Sequence, residues 1–325
     1  MPLDPRTLSI DFRQLARETW FKLERGGAGP TSFGENSLTD HNLFMLDMKH
    51  PDLNVHHFTQ NEESKFGADW EWWVGSDRQG WACLRIQAKR VRGHSYPELA
   101  HAGGEDKFQY DVLIDGCDPF KSEFPLHVFY NGWPKNEFLP GSYWADPAIW
   151  SACPNFVPPE RCHHAEPRDY GCAIVSSLAV KATHESQTPA NGALNRRVTA
   201  HLSNALPWSY LWGVPNPRPS AARPRSSGRG NDWHKILTKA LRSIYSQALR
   251  QEQVRRNESR PNLTEAELLL LNALAPDSGR RLQPQLPSWA QAVRLKSRQP
   301  GRLLDLPRAP ARLVVVADFT PAEER

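Results

Sequence analysis

Long apolar runs are missing from this sequence. No stretch approaches the roughly 18 residues that a helix needs to cross a bilayer, so no membrane span is expected. The N-terminal segment MPLDPRTLSIDFRQ lacks a basic start followed by an apolar stretch, and a signal peptide is not expected. Cysteine is scarce: Cys83, Cys117, Cys153, Cys162 and Cys172 are odd in number and irregular in spacing. They do not read as a disulfide framework, and a reducing cytoplasm fits them better. No internal repeat is visible. What remains is 39% hydrophobic and 23% charged residues, the composition of a globular chain. The net charge of +4 is unevenly spread. The first 140 residues are acidic on balance, and residues 218–312 are rich in Arg and Lys. A basic half can follow a phosphate backbone. Arginine enrichment also follows from a GC-rich genome, and both readings stand.

The pattern of apolar residues predicts helices over 8–24 and 37–50, the second stopped by Pro51. Extended segments follow at 54–60, 69–75 and 81–91. The turn formers of SDRQG (76–80) join the last two into a hairpin. A helix over 105–116, a buried strand over 125–131 and a strand-like segment over 171–180 come next. This order predicts an α/β class, a mixed central sheet flanked by helices. Residues 214–230 (VPNPRPSAARPRSSGRG) read as a linker. The chain thus divides into a 1–213 α/β domain, a 214–230 linker and a basic, mainly helical extension over 231–325. The extension holds predicted helices over 233–253, 264–275 and 287–295, and a last strand over 313–319.

Chemistry concentrates in the hairpin. Alternate residues of a strand share a face. Trp70, Trp72 and Val74 form one wholly apolar face, opposite Asp69, Glu71 and Trp73. Across the turn, Leu84, Ile86 and Ala88 oppose Arg85, Gln87 and Lys89. A lysine in a buried strand needs an acidic partner, and Asp69 and Glu71 are nearest. Such a grouping suits phosphodiester hydrolysis, which needs a divalent cation. Asp69, the Gln87 amide oxygen and the Ala88 carbonyl can hold Mg²⁺ or Mn²⁺. Lys89 can orient a water or offset charge in the transition state. The bland alternative is a cross-strand ion pair between Asp69 and Lys89.

The segment FGADWEWW (66–73), a turn, and LRIQAKR (84–90) resemble the active-site hairpin of the PD-(D/E)XK superfamily. They resemble its Mrr-like restriction endonucleases in particular, which often carry Q-x-K. The same signature is similar to that of a bacterial family without an assigned activity. The resemblance covers residues 33–135. It implies a restriction endonuclease-like fold and a metal-dependent nuclease acting on DNA, of restriction or defence type. It also implies an acid on the helix before the sheet, a place Glu35 can fill, and a following helix that brings Gln109 toward substrate. Polarity of a helix surface explains Gln109 equally. Gln87 in place of the second acid removes one negative charge, so a third acid is expected to compensate. Glu63 is preferred, with Glu62 and Glu71 as alternatives. A catalytically inactive nucleic-acid-binding module, or a protein-interaction module, on the same fold remains the rival reading.

Residues 153–172 hold Cys153, Cys162, His163, His164 and Cys172, but without a tight knuckle, and zinc is not expected. His56 and His57 adjoin on a strand and face opposite ways. Trp70, Trp72, Trp73 and Trp81 can stack on unpaired bases, although core packing explains them as well. Arg90 and Arg92 can meet phosphate where the strand leaves the core.

Overall fold

The computed structural model describes residues 3–26, 33–58, 67–100, 107–132, 167–186, 194–213, 233–256, 282–298, 309 and 311–321, and statements about the structure refer to these. Two helices come first, α1 (Pro5–Gly26) and α2 (Glu35–Lys49). The strand β1 (Leu53–His57) and the hairpin β2 (Trp70–Ser76) and β3 (Gly80–Arg90) follow. Next are α3 (Gln109–Asp115), β4 (Glu123–Tyr130) and β5 (Cys172–Ser176). Then come α4 (Ser177–Glu185), α5 (Val198–Leu202) and the short β6 (Leu206–Pro207). Last are α6 (Trp233–Arg256), α7 (Ser288–Arg298) and β7 (Leu313–Asp318).

The strands form one mixed sheet in the order β1-β7-β2-β3-β4-β5-β6. The β2–β7 and β3–β4 pairs are parallel and the others antiparallel. The α/β architecture expected from the element order is therefore present. The hairpin alternation is as expected: Trp70, Trp72, Val74, Ala82, Leu84, Ile86 and Ala88 join the main core. There Phe12 of α1 meets Trp72 edge-on at 5.2 Å between ring centroids. Trp73, Trp81 and Cys83 form a second cluster on the opposite face, under Ala290 and Val293 of α7. All four hairpin tryptophans are at most 1% exposed, so none offers a ring to a base.

Three expectations change. The apolar run 171–180 is not one strand. Ser176 ends β5 and accepts the Ala179 N–H at 3.2 Å, which starts α4 as an N-cap. α2 starts at Glu35, two residues ahead of Ser37, with Gly34 at its N-cap. Residues 231–325 do not stand apart as an extension. β7 inserts between β1 and β2, and Trp233, Leu237 and Leu241 of α6 belong to the main core. Its apolar LVVV run is buried on both faces, as a central strand requires. The linker at 214–230 and the helix expected over 264–275 lie outside the described residues.

Arg294 locks α7 onto this sheet. It donates to both oxygens of Asp77 in the hairpin turn at 2.7 Å, and to Asp318 of β7 at 2.8 Å. Asp318 is 2% exposed. Arg294→Ala leaves that carboxylate without its main counter-charge, and is expected to cost about 3–5 kcal/mol. Urea unfolding checks this, and a loss below about 1 kcal/mol contradicts it.

Candidate functional site

β2 begins at Trp70, opposite Ile86, whereas β3 continues to Arg90. The last residues of β3 therefore have β4 on one side and no strand on the other. Buried backbone donors need partners, and side chains provide them here. The Asp69 N–H donates to the Ile86 carbonyl at 2.8 Å. The chain then turns so that Asp69 Oδ2 accepts the Ala88 N–H at 2.6 Å and Gln87 Nε2 at 2.9 Å. One step further, Glu35 Oε2 accepts the Arg90 N–H at 3.0 Å. Both backbone groups of a strand residue point to the same edge. The Ala88 carbonyl thus faces this edge between the two acids, whose N–H partners are about 7 Å apart by the strand rise.

Lys89 points to the same sheet face as Gln87 and donates from Nζ to Gln109 Oε1 of α3 at 2.8 Å. Gly67 permits that approach. With φ +65°, it brings the backbone two residues before Asp69 against the first turn of α3. A Cβ there would lie 2.8 Å from the Gln109 carbonyl oxygen. Asp69, Gln87 and Lys89 are 6%, 3% and 4% exposed. Burial pushes the Glu35 carboxyl above the ordinary range; the Lys89 ammonium and the Arg90 N–H pull it back only in part.

The structure thus brings Asp69, Gln87, Lys89, Gln109 and Glu35 to one end of the hairpin. Gln109, rather than reaching outward, holds the lysine. Glu71 is not part of this group. It faces Arg85 in the strand register, accepting Arg85 Nε at 2.9 Å, and its other oxygen takes Trp73 Nε1 at 3.1 Å and Trp289 Nε1 at 3.0 Å. Lying two residues along β2, Glu71 serves a buried ion pair and cannot be the compensating acid. Glu62 and Glu63 lie outside the described residues. So do Cys153, Cys162, His163 and His164. Cys172 is a buried thiol between Thr19 and Asn42, its pKa pushed up to about 12 by burial.

Oxygen donors dominate the edge: two carboxylates, the Ala88 carbonyl and the Gln87 amide. That set fits a hard cation such as Mg²⁺ or Mn²⁺, which takes one or two carboxylates and keeps several waters. An amide exchanges its oxygen and nitrogen by a half-turn of its end group, so Gln87 can present oxygen at the point where Nε2 meets Asp69. Among the described residues, no three His, Cys, Asp or Glu side chains gather closely enough to hold a metal by themselves. The site is therefore lean in charge, as Gln87 in place of an acid implies.

Sequence reasoning passed over His127 and Tyr130. His127 of β4 lies beside Gln87 in the β3–β4 register and contacts Ser177 Oγ through Nδ1 at 2.9 Å. Tyr130 lies opposite Arg90. No local motif marks either residue; only the strand pairing brings them here. Arg92, by contrast, is tied to Glu98 at 3.1 Å with 60% of its side chain exposed.

The chain belongs to DUF6615, a family of unknown function. The match runs over residues 8–321, from α1 through β7, so the family includes the C-terminal strand as well as the hairpin. No curated protein matches the chain.

Burial holds His127 neutral, with Lys89 and His201 adding to the effect, and its pKa falls well below the usual value. Burial likewise pulls His184 down to about 4. Unfolded chains protonate both near pH 6.5. The stabilisation from two neutral imidazoles is complete above that pH and is lost as pH falls toward 4. Urea midpoints measured from pH 7 to 4.5 are expected to fall, and His127→Gln is expected to flatten the slope. An unchanged slope contradicts this assignment.

Proposed function

We propose that the Asp69–Glu35 edge of β3 is the divalent-cation site of a phosphodiester hydrolase, with DNA as the preferred substrate. The observation that carries the reading is the grouping of Asp69, Gln87, the Ala88 backbone and Lys89 at a single strand end. The resemblance of this hairpin to PD-(D/E)XK nucleases of the Mrr-like type, some of which serve restriction and defence, supports it. So do the excess of Arg and Lys over residues 218–312 and the overall charge of +4.

Asp69, Glu35 and the Ala88 carbonyl would hold Mg²⁺ or Mn²⁺. The chemistry supplied by such a cation is Lewis acidity toward phosphate oxygen and a lowered water pKa. Asp69 is kept in one rotamer by two donors, which preorganises its oxygens. Lys89, fixed by Gln109, places a positive charge where the phosphate would gain negative charge. Hydrolysis adds water oxygen to phosphorus and breaks the bond to the leaving sugar oxygen. One proton leaves the water and one reaches the departing alkoxide. Three described cysteines, Cys83, Cys117 and Cys172, are unbridged, in keeping with a cytoplasmic setting. Among the described residues, no helix is long and apolar enough to cross a membrane.

One observation favours a second reading. The Gln87 amide nitrogen, not a carboxylate, lies against Asp69, so hydrogen bonds from Gln87 and the Ala88 N–H already occupy that oxygen. A non-catalytic nucleic-acid-binding module would keep the same contacts.

Nicking of supercoiled plasmid separates the two. The nuclease reading predicts cleavage with Mg²⁺ or Mn²⁺, none with EDTA, and a loss of about 10²–10³ in rate for Lys89→Ala. Equal rates for Lys89→Ala and wild type, or cleavage by neither, contradict it. A gel shift that persists in EDTA without cleavage supports the binding module.

A further inference from the structure

We propose that Tyr130, acting through Thr39, is the positioning residue that sets Glu35 against the edge of β3; this rests on the cation-site reading above. Glu35 is the first residue of α2, and the Gly34 N-cap offers no side-chain hydrogen bond to fix that turn. A glycine N-cap also leaves the backbone ahead of the helix with wide freedom. The restraint comes from one turn further in. Thr39 donates its hydroxyl to the Glu35 carbonyl at 3.1 Å. The Tyr130 phenol lies 2.9 Å from Thr39 Oγ1. The threonine proton is committed to Glu35, so the phenol donates to Thr39.

Both hydroxyls are inside the protein, Thr39 at 1% and Tyr130 at 0% exposure. A buried hydroxyl chain of this kind is costly to leave half made. Its far end is anchored to the sheet. Tyr130 stands directly opposite Arg90 in the β3–β4 pairing, and Arg90 holds Glu35 Oε2 through its own N–H. One register position of the sheet therefore grips Glu35 twice, its carboxylate from β3 and its backbone from β4. The phenol stays protonated, since burial raises its pKa, with nearby Cys172 and then Glu35 and Asp69 adding to the rise. It remains a donor when the two acids are ionised. Side chains that orient metal ligands without touching the metal typically tune affinity by about ten- to a hundredfold.

The test is titration of the full chain with Mn²⁺ alone, no nucleic acid present, alongside thermal melting. Tyr130→Phe keeps the ring and removes only the donor. Thr39→Val removes the relay, and Thr39→Ser keeps it. The expected result is Mn²⁺ affinity about tenfold weaker in Tyr130→Phe and in Thr39→Val, near wild type in Thr39→Ser, and lost in Glu35→Gln. The double variant Tyr130→Phe/Thr39→Val is expected to be no weaker than either single one. Wild-type affinity in Tyr130→Phe and Thr39→Val overturns the inference while leaving the cation site in place. Thr39→Ser as weak as Thr39→Val also overturns it, because the effect then follows packing. A wild-type chain that binds no Mn²⁺ overturns the cation site, and the inference with it.

Discussion

β3 runs four residues past Ile86, the partner of the first residue of β2, and the site is arranged around that unmatched length. A strand edge buried without a partner leaves N–H groups unsatisfied, each at a cost of about 1–3 kcal/mol. Side chains meet that need here. Asp69 takes the Ala88 N–H and Glu35 takes the Arg90 N–H. Two carboxylates are thereby placed at one edge, with a carbonyl between them. The same need that completes the fold sets two acids at the point where the proposed cation would sit.

The surrounding elements fix those carboxylates in place. β7, from the far end of the chain, pairs in parallel with β2, and the Leu313 N–H reaches the Asp69 carbonyl at 3.4 Å. Asp69 is thus tied to β3 on one side and to the C-terminal strand on the other. α3 approaches closely because Gly67 lacks a Cβ, and its Gln109 holds Lys89. Arg294 fastens α7 to the turn of the same hairpin and to β7. The hairpin is therefore held at both ends, one by an ion pair and the other by the polar edge. Glu71 and Arg85 lie between them as a buried pair with tryptophan donors.

The hairpin was legible because strand alternation needs only local sequence. The apolar run Trp70, Trp72, Val74 against Leu84, Ile86, Ala88 sets the register, and the register puts Asp69 beside Gln87. Glu71 looked equivalent to Asp69 by the same rule. It differs because Arg85 lies opposite it, and because Trp289, more than 200 residues away, completes its shell. The place of β7 was not legible. Its apolar run announces a buried strand, but pairing between β1 and β2 depends on contacts that no local pattern carries. Ser176 hid a strand-to-helix change inside a continuous apolar stretch, since a serine N-cap reads as any small polar residue. Tyr130 and His127 reach the site only through the β3–β4 register, so nothing near them in sequence marks them.

The central claim is that Asp69 closes the open edge of β3 in a way that receives a divalent cation. Titration of the full chain with Mn²⁺, followed by electron paramagnetic resonance of the free ion, tests it most directly against Asp69→Asn. The account predicts tight uptake by the wild type and a loss of more than about a hundredfold in the variant. Asp69→Asn should remain folded, because the asparagine oxygen still accepts the Ala88 N–H. Equal Mn²⁺ uptake by a folded Asp69→Asn chain, or none by the wild type, would contradict it.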